Sequence, residues 1–222
     1  MPLPQTILAL ELSTARGSVA LVSDGEIIFS ADFVSHRSHN SMLYGPLREA
    51  LALCSSRPDA VAVGTGPGSY TGVRIAIAAA QGIGLAAQSR IIGFPSICAA
   101  PTDATTYNLV GDARRGGWYH AQVTDSHLVG EVTIHSEDEL AAKMDARRDE
   151  TWITFDENLN LAGTTIPAVC PTASKLAEVA SRWTASDWDR HETTEPLQPI
   201  YLREAFITTP KRSHLVVTEP TP

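Results

Sequence analysis

The chain has 222 residues, a length that suits one large domain or two small, closely associated ones. Apolar residues make up 43% and charged residues 19%, which is typical of a folded globular protein and excludes a disordered one. The 17 basic and 25 acidic side chains give a net charge of −8. This charge argues against direct, charge-driven binding to nucleic acid, because such binding needs a basic surface.

The N-terminal sequence and the cysteines indicate a reduced, cytoplasmic protein. The first apolar run is interrupted by Glu11, so we expect neither a signal peptide nor a membrane span. Cys54, Cys98 and Cys170 cannot all pair within one chain, and none belongs to a CxxC pair. We therefore predict reduced thiols rather than disulfides or zinc ligands, and a cytoplasmic location.

Hydrophobic periodicity predicts three strands, a helix, a strand and a second helix in the first half of the chain. These elements are strands over 6–12, 18–23, 26–34 and 59–64 and helices over 38–56 and 70–89. The first helix places Leu43, Leu47 and Leu51 on one apolar stripe. The second helix is apolar nearly all round, which requires burial inside the domain or burial of one face against a partner.

The second half repeats this order. Its predicted elements are strands over 107–111, 118–124, 128–135 and 151–155, a helix after 136 and a helix over 174–186. Ser136 and Glu139 form a capping box at the start of the first of these helices. We predict an α/β fold of two βββαβα lobes, 1–104 and 105–222, with the actin-like, Hsp70-like (ribonuclease H-like) architecture, and a C-terminal segment that packs back on the first lobe.

The turn GTGPGSYTG, residues 64–72, follows a strand and opens a helix, so its amides could receive an anion. It lacks the lysine of a phosphate-binding loop and the third glycine of a dinucleotide-binding loop. We favour a sharp structural turn in which Ser69 or Thr71 caps the helix. The motif residues singled out are Gly66, Pro67, Gly68, Ser69, Thr71 and Gly72.

Two polar turns occupy the positions where an actin-like fold holds phosphate groups. The first contains Glu11, Ser13 and Thr14, and the second is DARRGG, which begins at Asp112. Either turn could be a residual phosphate site or an ordinary polar hairpin turn, and the sequence leaves both interpretations open. There is no HExxH pair and no GxSxG elbow, so we expect no catalytic metal and no catalytic residues.

The sequence also resembles a known family. ILALELST, VAVGTGPGSYTGVRIAIAAAQGIGLA and IIGFPSICA, with His39 before the first helix, look like the TsaB (YeaZ) family. DARRGGWY and PIYLR, residues 199–203, fit more loosely. The family usually has Asp-Thr where this chain has Glu11-Leu12, which weakens any claim to residual nucleotide binding.

This resemblance implies a role in making threonylcarbamoyladenosine at position 37 of tRNA. It implies a non-catalytic scaffold that binds and activates TsaD, joined by the ATPase TsaE, with tRNA reached through the complex. The first-lobe helices would form the TsaD surface through Leu43, Leu47, Leu51, Arg74, Ile75, Ala76, Ala79, Gly82 and Ile83. A charge at Ala76 or Ala79, whichever is exposed, is then expected to abolish association.

Other expectations concern ligands and alternatives. The resemblance implies no firmly bound cofactor, and it leaves open whether ATP or ADP binds at the complex interface. Without TsaD, the exposed apolar face could form a homodimer. The alternatives are an ATP-dependent kinase or ATPase of the same fold, acting through Glu11, Ser13, Thr14 and Asp112, and a metallopeptidase.

Overall fold

A computed structural model of the protein describes residues 3–34, 39–55, 57–191 and 197–202. Its first half contains a five-stranded sheet in the order β3-β2-β1-β4-β5. The strands are β1 (Thr6–Glu11), β2 (Arg16–Ser23), β3 (Glu26–Val34), β4 (Ala60–Gly64) and β5 (Arg90–Phe94). β1, β2 and β3 form an antiparallel meander, whereas β4 and β5 run parallel to β1 because helices connect them.

Two helices, α1 (His39–Leu53) and α2 (Tyr70–Ala87), cover one face of this sheet. Successive residues of β1 point to opposite faces, so Leu8 and Leu10 pack under these helices while Ile7 and Ala9 face the other way. The helices contribute Leu43, Leu47, Ala50, Val73, Ala76, Ile77 and Ala80 to the same core.

The second half has a four-stranded sheet in the order β8-β7-β6-β9. Its strands are β6 (Thr106–Asp112), β7 (Trp118–Thr124), β8 (His127–His135) and β9 (Thr151–Thr154). Helix α3 (Glu137–Ala146) packs on one face of this sheet. A short hairpin, β10 (Asn160–Leu161) and β11 (Thr164–Thr165), follows β9. Two further helices follow the hairpin, α4 (Ala173–Ser181) and α5 (Ala185–His191).

Helix α4 packs on the first sheet, on the face opposite α1 and α2. The Ala173 amide donates to the Ser18 hydroxyl at 2.8 Å, and the hydroxyls of Ser30 and Ser174 are 2.8 Å apart. One apolar core therefore contains side chains of the first sheet, of α4 and of the second sheet.

The predicted α/β order is confirmed, with two corrections. The sequence reading missed β5, which completes the first sheet beside β4. The helix predicted over 174–186 is wrong, because the chain forms α4 and then a separate α5. The break occurs at Thr184, whose hydroxyl accepts the Asp187 amide at 3.3 Å and so starts a new helix. No helix in the described residues is long and apolar enough to cross a membrane.

Candidate functional site

The glycine-rich turn is locked against the turn that follows β1. The Ser69 amide donates to the Ser13 carbonyl at 2.6 Å, and the Ser69 hydroxyl accepts the Gly72 amide at 3.1 Å. Ser69 is therefore the N-cap of α2, one of the two residues predicted for that role. Because these amides already have partners inside the protein, the start of α2 offers fewer donors to an anion than its sequence suggests.

Two glycines make the close approach of these turns sterically feasible. A side chain at Gly68 would overlap the Ser13 carbonyl, and one at Gly72 would overlap the Leu12 carbonyl. Backbone atoms thus fill the space directly in front of the motif. This geometry favours the structural interpretation of the turn over anion binding.

Glu11 is sealed beneath the two turns. Its side chain is fully buried, and its Oε1 accepts the Ser13 amide at 2.7 Å. Its Oε2 faces Gly64 and the Ser96 hydroxyl but has no hydrogen bond of normal geometry. Burial raises the pKa of Glu11, and contacts with Ser13 and Ser96 oppose only part of this shift. Burial thus shifts Glu11 toward its neutral form, and the folded chain leaves none of its side chain exposed to solvent.

The second candidate phosphate turn has the opposite character. Asp112 accepts the Arg114 amide at 2.6 Å and forms an ion pair with the Arg114 side chain at 3.1 Å. Both side chains are well exposed, and the turn connects β6 to β7. In the described residues no hydrogen bond or ion pair joins Asp112 to Glu11 or Thr14. The geometry here is that of a salt-bridged hairpin turn.

The residues predicted to contact a partner divide between the two faces of the helices. Arg74 and Gly82 are exposed, and Leu51, Ile75, Ala79 and Ile83 are partly exposed. Leu43, Leu47 and Ala76 are 0%, 6% and 0% exposed, so the prediction that they contact a partner is wrong for the folded chain. These three side chains face the core of the first sheet. The apolar stripe on which the prediction was based is therefore the inner face of the helices.

Other apolar side chains of the two helices do lie outside. We refer to them as the α1/α2 surface: Met42, Tyr44, Leu53, Tyr70, Ala78, Leu85 and Ala86. Leu85 is 85% exposed, and Tyr44, Leu53 and Tyr70 each exceed half exposure. Contiguous exposed apolar patches mark interaction surfaces, so these side chains are candidates for contact with a partner.

The segment 197–202 returns to the first sheet beside α2. The sequence predicted that a C-terminal segment packs on the first lobe, but it did not indicate which residues make the contact. The Ile200 amide donates to the Thr65 carbonyl at 2.8 Å. The ring centroids of Tyr201 and Tyr70 are 5.7 Å apart, and a cavity of about 420 Å³ separates α2 from the segment. Two residues of the PIYLR motif, Pro199 and Tyr201, line the cavity. Arg203, the last residue of that motif, lies outside the described residues.

A polar network lies under α3 in the second half. His120 contacts the Asn108 amide oxygen through Nε2 at 2.9 Å, and Lys143 approaches its Nδ1 at 3.3 Å. Burial and the Lys143 charge lower the pKa of His120 to about 4. The neutral ring therefore accepts from Lys143 and donates to Asn108, which in turn donates to Glu150 at 2.6 Å. In the part of the chain that the structure describes, no three His, Cys, Asp or Glu side chains are grouped as metal ligands would be.

A second cavity, of about 750 Å³, lies between α3 and the β10–β11 hairpin. Its floor is apolar, with Trp152, Leu161 and Ile166, and its rim carries the ion pair between Asp145 and Arg148. None of the residues predicted from the sequence as site residues lines this cavity.

Comparisons with known proteins agree with this architecture. Residues 33–186 match a family model described as TsaD, tRNA N6-adenosine threonylcarbamoyltransferase. The tRNA threonylcarbamoyladenosine biosynthesis protein TsaB of Escherichia coli (strain K12) is 26% identical over 221 residues, which cover 89% of this chain and 94% of that protein. The protein of the same name from Haemophilus influenzae is 35% identical over 127 residues, 53% of each chain.

Solved structures give the same result. YeaZ from Pseudomonas aeruginosa has a TM-score of 0.70 and 26% identity, and the match covers 89% of this chain and 100% of that one. An uncharacterised protein from the same organism, with similarity to peptidase YEAZ, has a TM-score of 0.71 and 28% identity and covers 90% and 100%. The predicted resemblance and the actin-like fold class are therefore confirmed.

Proposed function

Because the chain belongs to the TsaB (YeaZ) family, we propose that it acts in the biosynthesis of threonylcarbamoyladenosine in tRNA, as a non-catalytic subunit that binds and activates TsaD. The TsaB proteins of E. coli and H. influenzae carry this biosynthetic pathway in their names. The family model that matches residues 33–186 carries the name of the threonylcarbamoyltransferase, TsaD. The chain is thus related both to the pathway and to the enzyme that it is proposed to assist.

The observation that carries the scaffold role is the outward face of α2. A helix on the surface of a monomer should be polar on that face. Here Arg74 is the one charged residue and Thr71 and Gln81 are polar, whereas the rest of the exposed face is apolar or glycine: Ala78, Gly82, Leu85 and Ala86. Burial of these side chains against a second protein removes apolar surface from water, at about 25 cal/mol per Å². A stable interface of roughly 1,200–2,000 Å² in total would cover α2 and the neighbouring face of α1.

The buried position of Glu11 favours a scaffold over a kinase or ATPase. An actin-like enzyme needs an accessible carboxylate and an open turn beside the phosphate groups. In this chain the carboxylate is fully buried, and the turns above it are in backbone contact through Ser13 and Ser69. Asp112, the other acidic residue considered for this role, is engaged by Arg114.

The remaining parts of the proposal concern the assembly. We place the chain in the cytoplasm, in a complex with TsaD and TsaE, where tRNA is reached through the complex because the net charge of −8 repels a polyanion. No firmly bound cofactor is part of the proposal. In the absence of TsaD, two copies of the chain would form a homodimer that buries the α1/α2 surface.

An omission assay tests the proposal. TsaD, TsaE and the enzyme that forms threonylcarbamoyl-adenylate, all from the same source, are incubated with tRNA, ATP, threonine and bicarbonate, with and without the chain. We expect modified tRNA only when the chain is present, and equally with the Glu11→Gln variant, because a scaffold needs no carboxylate there. Equal product without the chain would contradict the proposal. Product lost in Glu11→Gln, together with ATP turnover by the chain alone, would favour the ATPase alternative.

A further inference from the structure

Two tyrosines and an arginine form a cluster at the N-terminal end of α2. The Arg74 guanidinium lies over the Tyr70 ring, 5.0 Å from its centroid, and donates to the Tyr70 hydroxyl. Its Nη1 is also 3.5 Å from the hydroxyl of Tyr201, whose ring lies beside that of Tyr70. Tyr70 and Tyr201 are 56% and 49% exposed, and Arg74 is exposed. These three residues, the Tyr–Arg–Tyr cluster, contact one another at the surface.

The cluster joins two distant parts of the chain and is anchored from below. Tyr201 belongs to the segment 197–202, which is tied to the first sheet by the hydrogen bond from Ile200 to Thr65. The cavity of about 420 Å³ opens beside the cluster, between α2 and this segment, and Ile77, Ala78, Leu197 and Pro199 line part of it. Because the side chains already contact one another, a ligand that binds here has less to order.

Arg74 presents an exposed positive charge at the surface. Within the described residues, no carboxylate lies within ion-pair distance of its guanidinium. Its contacts there are the two tyrosine hydroxyls and the Tyr70 ring, so its other nitrogens are free to donate. A planar guanidinium with free donors matches a carboxylate in geometry and charge. Tyrosine and arginine are also the residues most enriched among those that dominate binding energy at protein interfaces.

We infer that the Tyr–Arg–Tyr cluster extends the α1/α2 surface and binds an acidic side chain of the partner protein, with an apolar neighbour of that side chain in the adjacent cavity. This inference rests on the proposed function, which names the partner as TsaD. Tyr70 and Arg74 belong to the same helix as Ala78 and Leu85. One partner surface can therefore cover the cluster and the α1/α2 surface together. The segment 197–202 thereby becomes part of the interface, in addition to the two helices.

Binding of purified TsaD to the full chain tests the inference, by calorimetry at two salt concentrations. We expect Arg74→Ala and Tyr201→Ala each to raise Kd by roughly 10-fold or more, and Arg74→Lys to have an intermediate effect. Arg182→Ala is the matched control, because Arg182 is a 73% exposed arginine at the end of α4, on the opposite side of the first sheet. Its Kd should equal that of the wild type. The salt dependence of Kd should be weaker in Arg74→Ala than in the wild type.

The outcomes separate this inference from the proposed function. If the wild-type chain binds TsaD and both the Arg74→Ala and Tyr201→Ala variants bind equally well, the inference is wrong while the proposed function stands. If the wild-type chain does not bind TsaD, both are wrong. A higher Kd in Arg74→Ala with an unchanged salt dependence overturns the acidic partner group. Sedimentation of the chain alone adds one more outcome: loss of a homodimer in these variants, with TsaD binding intact, assigns the cluster to a second copy and also overturns the inference.

Discussion

The two halves of the molecule share an order of strands and helices but expose different helix surfaces. In the first half, α1 and α2 carry large apolar side chains on the outside, with Leu85 and Tyr44 among the most exposed. In the second half, α3 lies outside its sheet with Leu140 as its one buried side chain and with acidic residues throughout its first turn. A helix in the same type of position is therefore apolar outside in one half and polar in the other.

This difference separates what folding requires from what it does not. Helix α3 is specified locally, by the capping box of Ser136 and Glu139 and by acidic side chains near the positive end of its dipole. Helix α2 contains three glycines, and the two beyond its first turn, Gly82 and Gly84, each cost about 1 kcal/mol relative to alanine. The helix therefore depends on core packing by residues such as Ala76 and Ile77. Its exposed apolar residues, such as Leu85, lie outside that packing, and the proposed interface with TsaD would account for them.

The inner face of α2 should show the largest effect on stability. Ala76 is fully buried under the helix. We expect Ala76→Asp to lower the free energy of unfolding by about 3–5 kcal/mol, because it buries a carboxylate with no partner. Urea unfolding measures this, with Ala78→Asp as the control on the outer face, where the change should stay near 0.5 kcal/mol. Similar losses at both positions would erase the distinction between the two faces.

The outer face of α2 should control association instead. Ala78→Asp places a charge on the α1/α2 surface, and we expect it to weaken TsaD binding by ~100-fold or more because the carboxylate must be desolvated without a partner. Ala142→Asp on α3 is the matched variant, because Ala142 is also an exposed helical alanine. It should leave the Kd unchanged. Equal effects of the two variants would show that the halves do not differ in the way we describe.

A smaller effect, visible only against pH, should come from the buried carboxyl of the first half. The raised pKa of Glu11 means that the folded state binds its proton more tightly than the unfolded state, whose pKa is near 4.5. This contribution to stability is complete below about pH 4.5 and is lost as the pH rises through the folded-state pKa. Glu11→Gln cannot lose it, so the stability of the variant should gain on that of the wild type above pH 4.5. Unfolding free energies that run parallel across this range would contradict the prediction.

The smallest effect should come from the local signal that starts α3. The Ser136 hydroxyl accepts the Glu139 amide at 3.3 Å, and the Glu139 carboxylate accepts the Ser136 amide at 2.8 Å. We expect Ser136→Ala to cost about 1 kcal/mol of stability, measured by urea unfolding, without changing the affinity for TsaD. Glu139→Gln should cost less, since glutamine also completes a capping box. A lower TsaD affinity in Ser136→Ala would mean that the second half takes part in the interface.

Local signals account for most of the fold that could be predicted. The capping box at Ser136 and the alternating pattern of β7 depend on neighbouring residues, so the sequence alone identifies them. Strand β5 is short and pairs with β4 only across the intervening helix α2, and this non-local pairing leaves little trace in a run of five residues. The start of α5 was missed although Thr184 and Asp187 have the spacing of an N-cap signal.

The candidate site was predictable in outline but not in orientation. Helical spacing identified the apolar stripe of Leu43 and Leu47, but spacing alone does not tell which of two apolar faces meets the sheet. In a helix that is apolar all round, that choice is made by tertiary packing. The contact between Tyr70 and Tyr201 joins residues far apart in the chain, and the burial of Glu11 depends on Gly64 and Ser96, from two other elements.

The shared core also has a mechanical consequence. Phe94 of the first sheet stacks on Trp183 at 5.3 Å, and Trp183 meets Trp188 at 5.7 Å, all within the core that also holds Leu109 and Ile153 of the second sheet. Swinging the second sheet away from the first would remove Leu109 and Ile153 from this core and expose it to water. Closely packed interiors are stiff and transmit strain. A force applied to α2 should therefore move the two sheets together as one rigid body, without a hinge between them.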